Sequence, residues 1–288
     1  MSPALAALLP LDKYWHIRMG VLDLLNGKRD TVDFLREQPD LGEDLRALLS
    51  AGERWPTEKE ISVGEAGTLY RFLRFAAWKL GLDKTFIREG TLRSRPMCDD
   101  PSIVSWPQRQ LLTLDHSTSQ WASAAALLGD AERLPDAPFH LKVTYEAIDH
   151  WNDRLTRNER WEPRRDETIR KQAEAFLGVL GGSEVRFIPE QPDDYCFARA
   201  FNLVTPEEGE HRWPMLRGHE SDRIAEMEKA LGELERSEPI SSRDHRVVQA
   251  VAMLGATRGK SVSTTHPDCV AKTWPQFWKF LNAGCQRP

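Results

Sequence analysis

The sequence predicts an α/β or α+β fold, on three observations. Helical periodicity dominates the 288 residues, short β-like pieces sit between the helical stretches, and Gly and Pro bound those pieces. The length exceeds the ~100–200 residues common for one domain, so one large or two moderate domains are expected.

From the N-terminus, helices are predicted over Ile17–Leu25 and Thr31–Ser50. Leu69, Phe72, Leu73, Ala76 and Leu80 form one apolar stripe and mark an amphipathic helix. Another helix covers Ser119–Leu128. The segments Phe139–Val143 and Glu184–Ile188 read as strands. Between them, from Asn152 to Asp166, Arg, Asn, Glu and a Pro replace the apolar periodicity, which reads as a linker. Further helices are predicted over Arg165–Leu180, Asp193–Val204, Asp244–Leu254 and Lys272–Asn282, and a second stripe of Ile224, Met227, Leu231 and Leu234 marks one more.

With 40% hydrophobic and 29% charged residues the chain reads as globular. A net charge of -5 and a pI near 6.0 argue against general nucleic-acid binding, which needs a basic excess. No apolar run approaches a membrane span, and Met1–Leu11 lacks the basic start of a signal peptide, so a cytoplasmic enzyme is expected. Cys98, Cys196, Cys269 and Cys285 lie far apart without a CxxC pair or a zinc-like His spacing. They read as reduced thiols, and neither a metal nor a cofactor is expected.

Six segments could carry chemistry. Gly64-Glu65-Ala66-Gly67-Thr68-Leu69-Tyr70-Arg71 puts two glycines before a strong helix, which lets backbone N–H groups and the helix dipole face an oxyanion. The alternative is a tight turn with Arg71 in solvent. Ser117-Thr118-Ser119-Gln120 brings hydroxyls and an amide to a helix start, as an anion site or as an N-cap. Arg93-Ser94-Arg95-Pro96-Met97 places cations before a Pro turn. Arg217–Arg223 and Asp244-His245-Arg246 open two helices with dense mixed charge, which suits either capping with surface ion pairs or an acid/base site with anion clamps. Lys272, in Ala271–Pro275, is open in the same way.

The order of these pieces resembles the enolpyruvyl transferase family, and within it the branch that acts on shikimate 3-phosphate. Lys13 and Arg18, within Asp12–Arg18, are similar to the family's N-terminal lysine and arginine. Gly64–Arg71 resembles Gly-Asn-Ala-Gly-Thr-x-x-Arg, Arg95-Pro96-Met97 resembles Arg-Pro-Met, and Thr118-Ser119-Gln120 resembles Ser-Ser-Gln. Pro192-Asp193 looks like the motif of the catalytic aspartate. Glu220-Ser221-Asp222-Arg223-Ile224, Asp244-His245-Arg246 and His266–Pro275 are similar to three C-terminal motifs. The resemblance spans nearly the whole chain, although the middle is shorter than in the family.

What the resemblance implies is a two-lobed inside-out α/β barrel of βαβαββ units, here abridged, with residues 12–152 in one lobe, residues 1–11 and 166–288 in the other, and 153–165 linking them. It implies transfer of the enolpyruvyl group of phosphoenolpyruvate to a hydroxyl of shikimate 3-phosphate, in a monomer needing no nucleic acid or membrane partner. By family position Lys13, Gly67, Arg95 and Gln120 would hold the donor phosphate, and Arg223, Arg246 and Lys272 its carboxylate side. Arg71 would support the loop. Arg18, Thr118, Ser119, Gln120, Thr144, Asp193 and His219 would bind the acceptor. Asp193 would take the hydroxyl proton, Glu220 would protonate the methylene carbon, and Lys13 would assist; glyphosate would inhibit at Gly67.

The departures from the family cluster. Glu65 replaces an asparagine beside the donor phosphate, a poor neighbour unless it pairs with a cation or turns away. On the acceptor side, Tyr14, Ala147, Met215 and His219 replace a serine, a tyrosine, an asparagine and a lysine. Gly90 stands where a branch acting on a nucleotide sugar has a cysteine. Those changes keep open another acceptor, or a relative that binds anions without turnover.

Overall fold

The computed structural model describes residues 1–95, 100–114, 119–129, 131–157, 163–218 and 221–286. It corrects the expected fold class. The chain is 62% helical with two short parallel strands among the described residues, so it is helix-rich and not an α/β barrel of βαβαββ units.

The chain divides into two compact units, Leu11–Arg164 and a second made of Met1–Pro10 with Arg165–Pro288. Helix α1 (Pro3–Ala6) belongs to the second. The unit Leu11–Arg164 contains α2 (Lys13–Leu25), α3 (Asp30–Arg36), α4 (Glu43–Arg54), strand β1 (Glu60–Ser62), α5 (Gly67–Lys79), strand β2 (Thr85–Ile87), α6 (Gln108–Leu114), α7 (Gln120–Leu128) and α8 (Phe139–Arg157). The second unit continues with α9 (Glu167–Leu180), α10 (Tyr195–Ala200), α11 (Pro206–Arg212), α12 (Arg223–Glu235), α13 (His245–Thr257) and α14 (Phe277–Cys285).

Each unit is organised around a helix buried on every side. In α2 every residue from Trp15 to Leu24 is buried, against α3, α4, α5, α7 and α8. In α13 the same holds from His245 to Gly255, against α9, α10, α12 and α14. A helix without a solvated face has to be a central one. Aspartates start many of these helices: Asp12, Asp166 and Asp222 each accept the backbone N–H three residues on, at 2.9–3.1 Å. In the first unit β1 and β2 pair in parallel, Ile61 opposite Phe86, beside α4.

The strand predicted at Phe139–Val143 is the first turn of α8. Its apolar residues belong to a longer pattern, in which Leu141, Thr144, Ala147, Trp151 and Arg154 are all buried at spacings of three and four. Five residues were too short a window to separate the two periods. Glu184–Ile188 is irregular: Val185 and Phe187 pack against the core while Ile188 is exposed, and no strand pairs with it among the described residues. The helix predicted over Thr31–Ser50 is two, α3 and α4, because Pro39 lacks the N–H a continuing helix needs and Gly42 caps α4. A 3-10 turn, Pro192–Asp194, precedes α10, and Pro275 delays α14 until Phe277. Helix α8 continues to Arg157, into the stretch predicted to be a linker. No helix among the described residues is long and apolar enough to cross a membrane.

Candidate functional site

In the unit Leu11–Arg164, the turn at Gly64 (φ 55°) leads from β1 to α5, which starts at Gly67 without a side-chain cap among the described residues. A Cβ at Gly67 would lie 3.7 Å from Arg71 Nη1 and 3.9 Å from Arg95 Nη1, so both guanidinium groups stand at this helix start. Arg71 Nη1 donates to Gln120 Oε1, and Gln120 Nε2 donates to Thr68 Oγ1 at 2.9 Å. The Arg71 guanidinium also lies 5.1 Å from the Trp121 ring centroid. Three separated segments thus bring two cations, an amide and a helix N-terminus together, a set suited to a phosphate.

Glu65 turns toward Gly90. A Cβ at Gly90 would overlap the Glu65 carboxylate, and Gly90 has φ 47°, so glycine is required there twice over. Thr91 Oγ1 donates to Glu65 Oε2 at 2.9 Å and accepts from Arg95 Nη2 at 3.1 Å. The carboxylate is therefore linked to Arg95 through a hydroxyl. Thr68 lay within the Gly64–Arg71 motif without a role of its own, and Thr91 did not stand out in the sequence; the signal available was its place beside Gly90.

Lys13, Arg18 and Thr144 take other places in the same unit. Lys13 forms an ion pair with Asp44 at 3.0 Å. Arg18 is 1% exposed; its Nε donates to Thr144 Oγ1 at 2.6 Å, its Nη1 to the Tyr14 carbonyl at 2.9 Å, and its Nη2 to the His140 carbonyl at 2.9 Å and Ser123 Oγ at 3.4 Å. Burial pushes its pKa down to about 10, against the opposing pull of Asp12 and Tyr14. Of the residues expected to hold the acceptor, Arg18 and Thr144 meet inside the core, where with Ser123 they tie α2 to α7 and α8, whereas Gln120 joins Arg71 and Asp193 lies in the second unit. Ser119 is likewise buried, at φ 51°, and makes no side-chain cap to α7 among the described residues.

In the second unit Asp193 lies in the 3-10 turn Pro192–Asp194. Its Oδ1 accepts from Arg223 Nη1 at 3.0 Å and its Oδ2 from Arg246 Nη2 at 2.8 Å. Arg223, the first residue of α12, also donates through Nε to Asp244 Oδ2 at 3.0 Å. Asp244 caps α13 through the Arg246 N–H at 2.9 Å and accepts from Ser221 Oγ at 2.7 Å. Burial works against the Asp244 carboxylate, but the charges of Arg223 and His245 and the Ser221 hydrogen bond prevail and hold it well below the usual range. The charge-rich starts of α12 and α13 therefore act partly as caps and partly as a cation pair around Asp193. Arg217 lies outside that cluster, paired with Glu210 and Asp222 at the surface.

Next to Asp193, Asp194 was not singled out by sequence. Gln172 Nε2 and the N–H groups of Glu190 and Gln191 donate to it at 2.9–3.1 Å, yet burial pushes it up to about 6. Lys272 ends the 3-10 turn Pro267–Lys272. Cys196, Cys269 and Cys285 are free thiols; burial raises Cys196, and it raises Cys269 to about 11. Thr118, His219 and Glu220 lie outside the described residues, as do Pro96, Met97 and Cys98. Comparison of the chain with protein-family models, with curated proteins and with solved structures finds no match.

Proposed function

We propose that the chain is an enolpyruvyl transferase, with phosphoenolpyruvate as donor and shikimate 3-phosphate as acceptor, the reaction of a 5-enolpyruvylshikimate-3-phosphate synthase. The observation that carries this reading is the gathering of Arg71, Arg95 and Gln120 about Gly67, in the unit Leu11–Arg164. Residues picked from three separate motifs converge there without a contact any one motif would require. Cations, an amide and a helix start are what a phosphate needs to replace its water.

In the second unit, Arg223 and Arg246 supply a carboxylate-binding pair, and Asp193 is the carboxylate they hold. In this reading a ligand carboxylate takes over those guanidinium groups by exchange and releases Asp193 as a base. The acceptor oxygen then bonds to the substituted carbon of the donor while its proton passes to Asp193. Glu220, assigned by its motif, adds a proton to the methylene carbon. Loss of a proton from the resulting methyl group and cleavage of the carbon–oxygen bond to phosphate give the enol ether and inorganic phosphate.

One observation favours a second reading, anion binding without turnover: the base itself is tied to two cations. Release of phosphate from phosphoenolpyruvate plus shikimate 3-phosphate decides. We expect release that glyphosate inhibits and that Asp193→Ala, Lys13→Ala and Arg95→Ala each suppress. No release, with calorimetric binding of phosphoenolpyruvate that Arg95→Ala weakens, selects the second reading. Absence of both release and binding sinks the two together.

A further inference from the structure

We propose that a separate cleft in the unit Leu11–Arg164 binds a small organic cation carrying N–H donors. The cleft has a volume of about 400 Å³, enough for a small metabolite. Trp78 and Trp106 line it and are 43% and 41% exposed. Two indoles left wet at one cleft form an apolar patch that a ligand can cover, and indole is the side-chain ring best suited to a cation.

An independent observation comes from Gln108, which lines the same cleft and is 2% exposed. Its Nε2 donates to the Ala122 carbonyl at 3.0 Å, whereas its Oε1 has no hydrogen-bond partner among the described residues. A buried amide oxygen without a donor is costly to keep, and a turn of the side chain toward the cleft would let a ligand N–H satisfy it.

Charge selects the ligand class. Helix α5 ends at Lys79 and α7 at Leu128, and both residues line the cleft, so the negative ends of two helices lie there. Glu132 adds a carboxylate. The start of the shorter α6 and the ammonium of Lys79 oppose them, but Lys79 is exposed and its flexible stem can carry the charge into water. An anion would meet two helix C-termini, and a neutral apolar ring would leave Gln108 without a donor. An ammonium or guanidinium group answers the indoles, the amide oxygen and the helix ends at once.

The test is an NMR titration of the whole chain with agmatine, followed at the indole N–H signals of Trp78 and Trp106. Tetramethylammonium and 1-butanol serve as controls, the first a cation without N–H donors and the second a neutral donor. We expect saturable shifts of both signals with agmatine, at least ~3-fold weaker binding in Trp106→Ala, and roughly 10-fold weaker binding in Gln108→Met or by tetramethylammonium. Gln108→Met also removes the bond to Ala122, so circular dichroism checks its folding. Trp106→Ala, at a wet position, keeps the test decisive if that variant unfolds. No saturable shift below ~10 mM agmatine, equal binding of either control, or unchanged binding in Trp106→Ala would overturn the proposal. The transferase reading plays no part in it.

Discussion

Arg18 in the unit Leu11–Arg164 and Arg246 in the second unit are both nearly removed from water, at 1% and 3% exposure, but they keep different company. The donors of Arg18 end on two hydroxyls and two carbonyls. Arg246, with Arg223, faces the carboxylate of Asp193. Under the proposed function the difference separates a strut from a receptor. A guanidinium spent on neutral oxygens between three helices has no anion to exchange, whereas one facing a side-chain carboxylate already has the geometry for a ligand carboxylate. Both arginines stood in motifs that implied ligand contact, so motif membership did not tell the two roles apart.

The largest effect expected from this comparison is at Arg18. Arg18→Ala removes the donor shared by Thr144, Ser123 and the Tyr14 and His140 carbonyls, and should cost ~3 kcal/mol or more in urea unfolding. Arg18→Lys should recover little, because a single ammonium cannot replace three separately directed N–H groups. A cost below ~1 kcal/mol would mean that Arg18 is no strut.

Asp193→Asn comes next. It removes the internal countercharge of two partly buried guanidinium groups and should lower stability by ~2 kcal/mol. Pyruvate should then bind about 10-fold tighter than to the wild type and restore part of the loss, since the internal competitor is weakened. Unchanged pyruvate affinity, measured by calorimetry, would break the receptor half of the comparison.

Two neighbouring carboxylates sharpen it through pH. Asp244 sits below its ordinary pKa in the folded state, so its stabilisation is complete above the unfolded value of ~3.9 and fades as the pH falls further. Asp194 is raised to about 6, so its contribution has the opposite sign: most favourable below ~3.9 and lost as the pH rises through 6. Thermal melts should show Asp194 costing roughly 2 kcal/mol between pH 4 and pH 6, and Asp194→Asn should flatten that slope.

Gly90→Ala should cost ~1–2 kcal/mol, from φ 47° and from the Glu65 carboxylate. In a Glu65→Ala background the steric share should return, and a double-mutant cycle measures it. The smallest change expected is at the surface. Arg133 and Asp149 pair at 2.5 Å with about half of each side chain in water, and Asp149→Ala should cost under ~1 kcal/mol.

Legibility in the sequence followed length and burial. The stripes Leu69–Leu80 and Ile224–Leu234 matched α5 and α12 because each runs for about three turns, long enough for the helical period to be unambiguous. Phe139–Val143 failed for the opposite reason, and the expected α/β fold, which needed such strands, gave way to a helix-rich one. At the site, Gly67 and Arg71 could be placed near each other because four residues on a helix make one turn. That Arg95 and Gln120 join them is a long-range fact no local pattern holds. Glu65 read as an obstacle to anion binding; only the positive φ of Gly90 and the hydroxyl of Thr91 show where its charge goes.

The second unit draws on both sides of the unit Leu11–Arg164 in the sequence: Trp274 Nε1 donates to the Leu8 carbonyl at 2.7 Å, Arg165 Nη1 to Leu9, and the Asp166 N–H to Pro10. On a ribosome adding ~5–20 residues each second, the interval between making Leu8 and making its tryptophan partner is roughly 13–50 s. During that interval the intervening unit can finish folding, while the first ten residues, with Leu5 and Leu9 still uncovered, wait for their core to be synthesised.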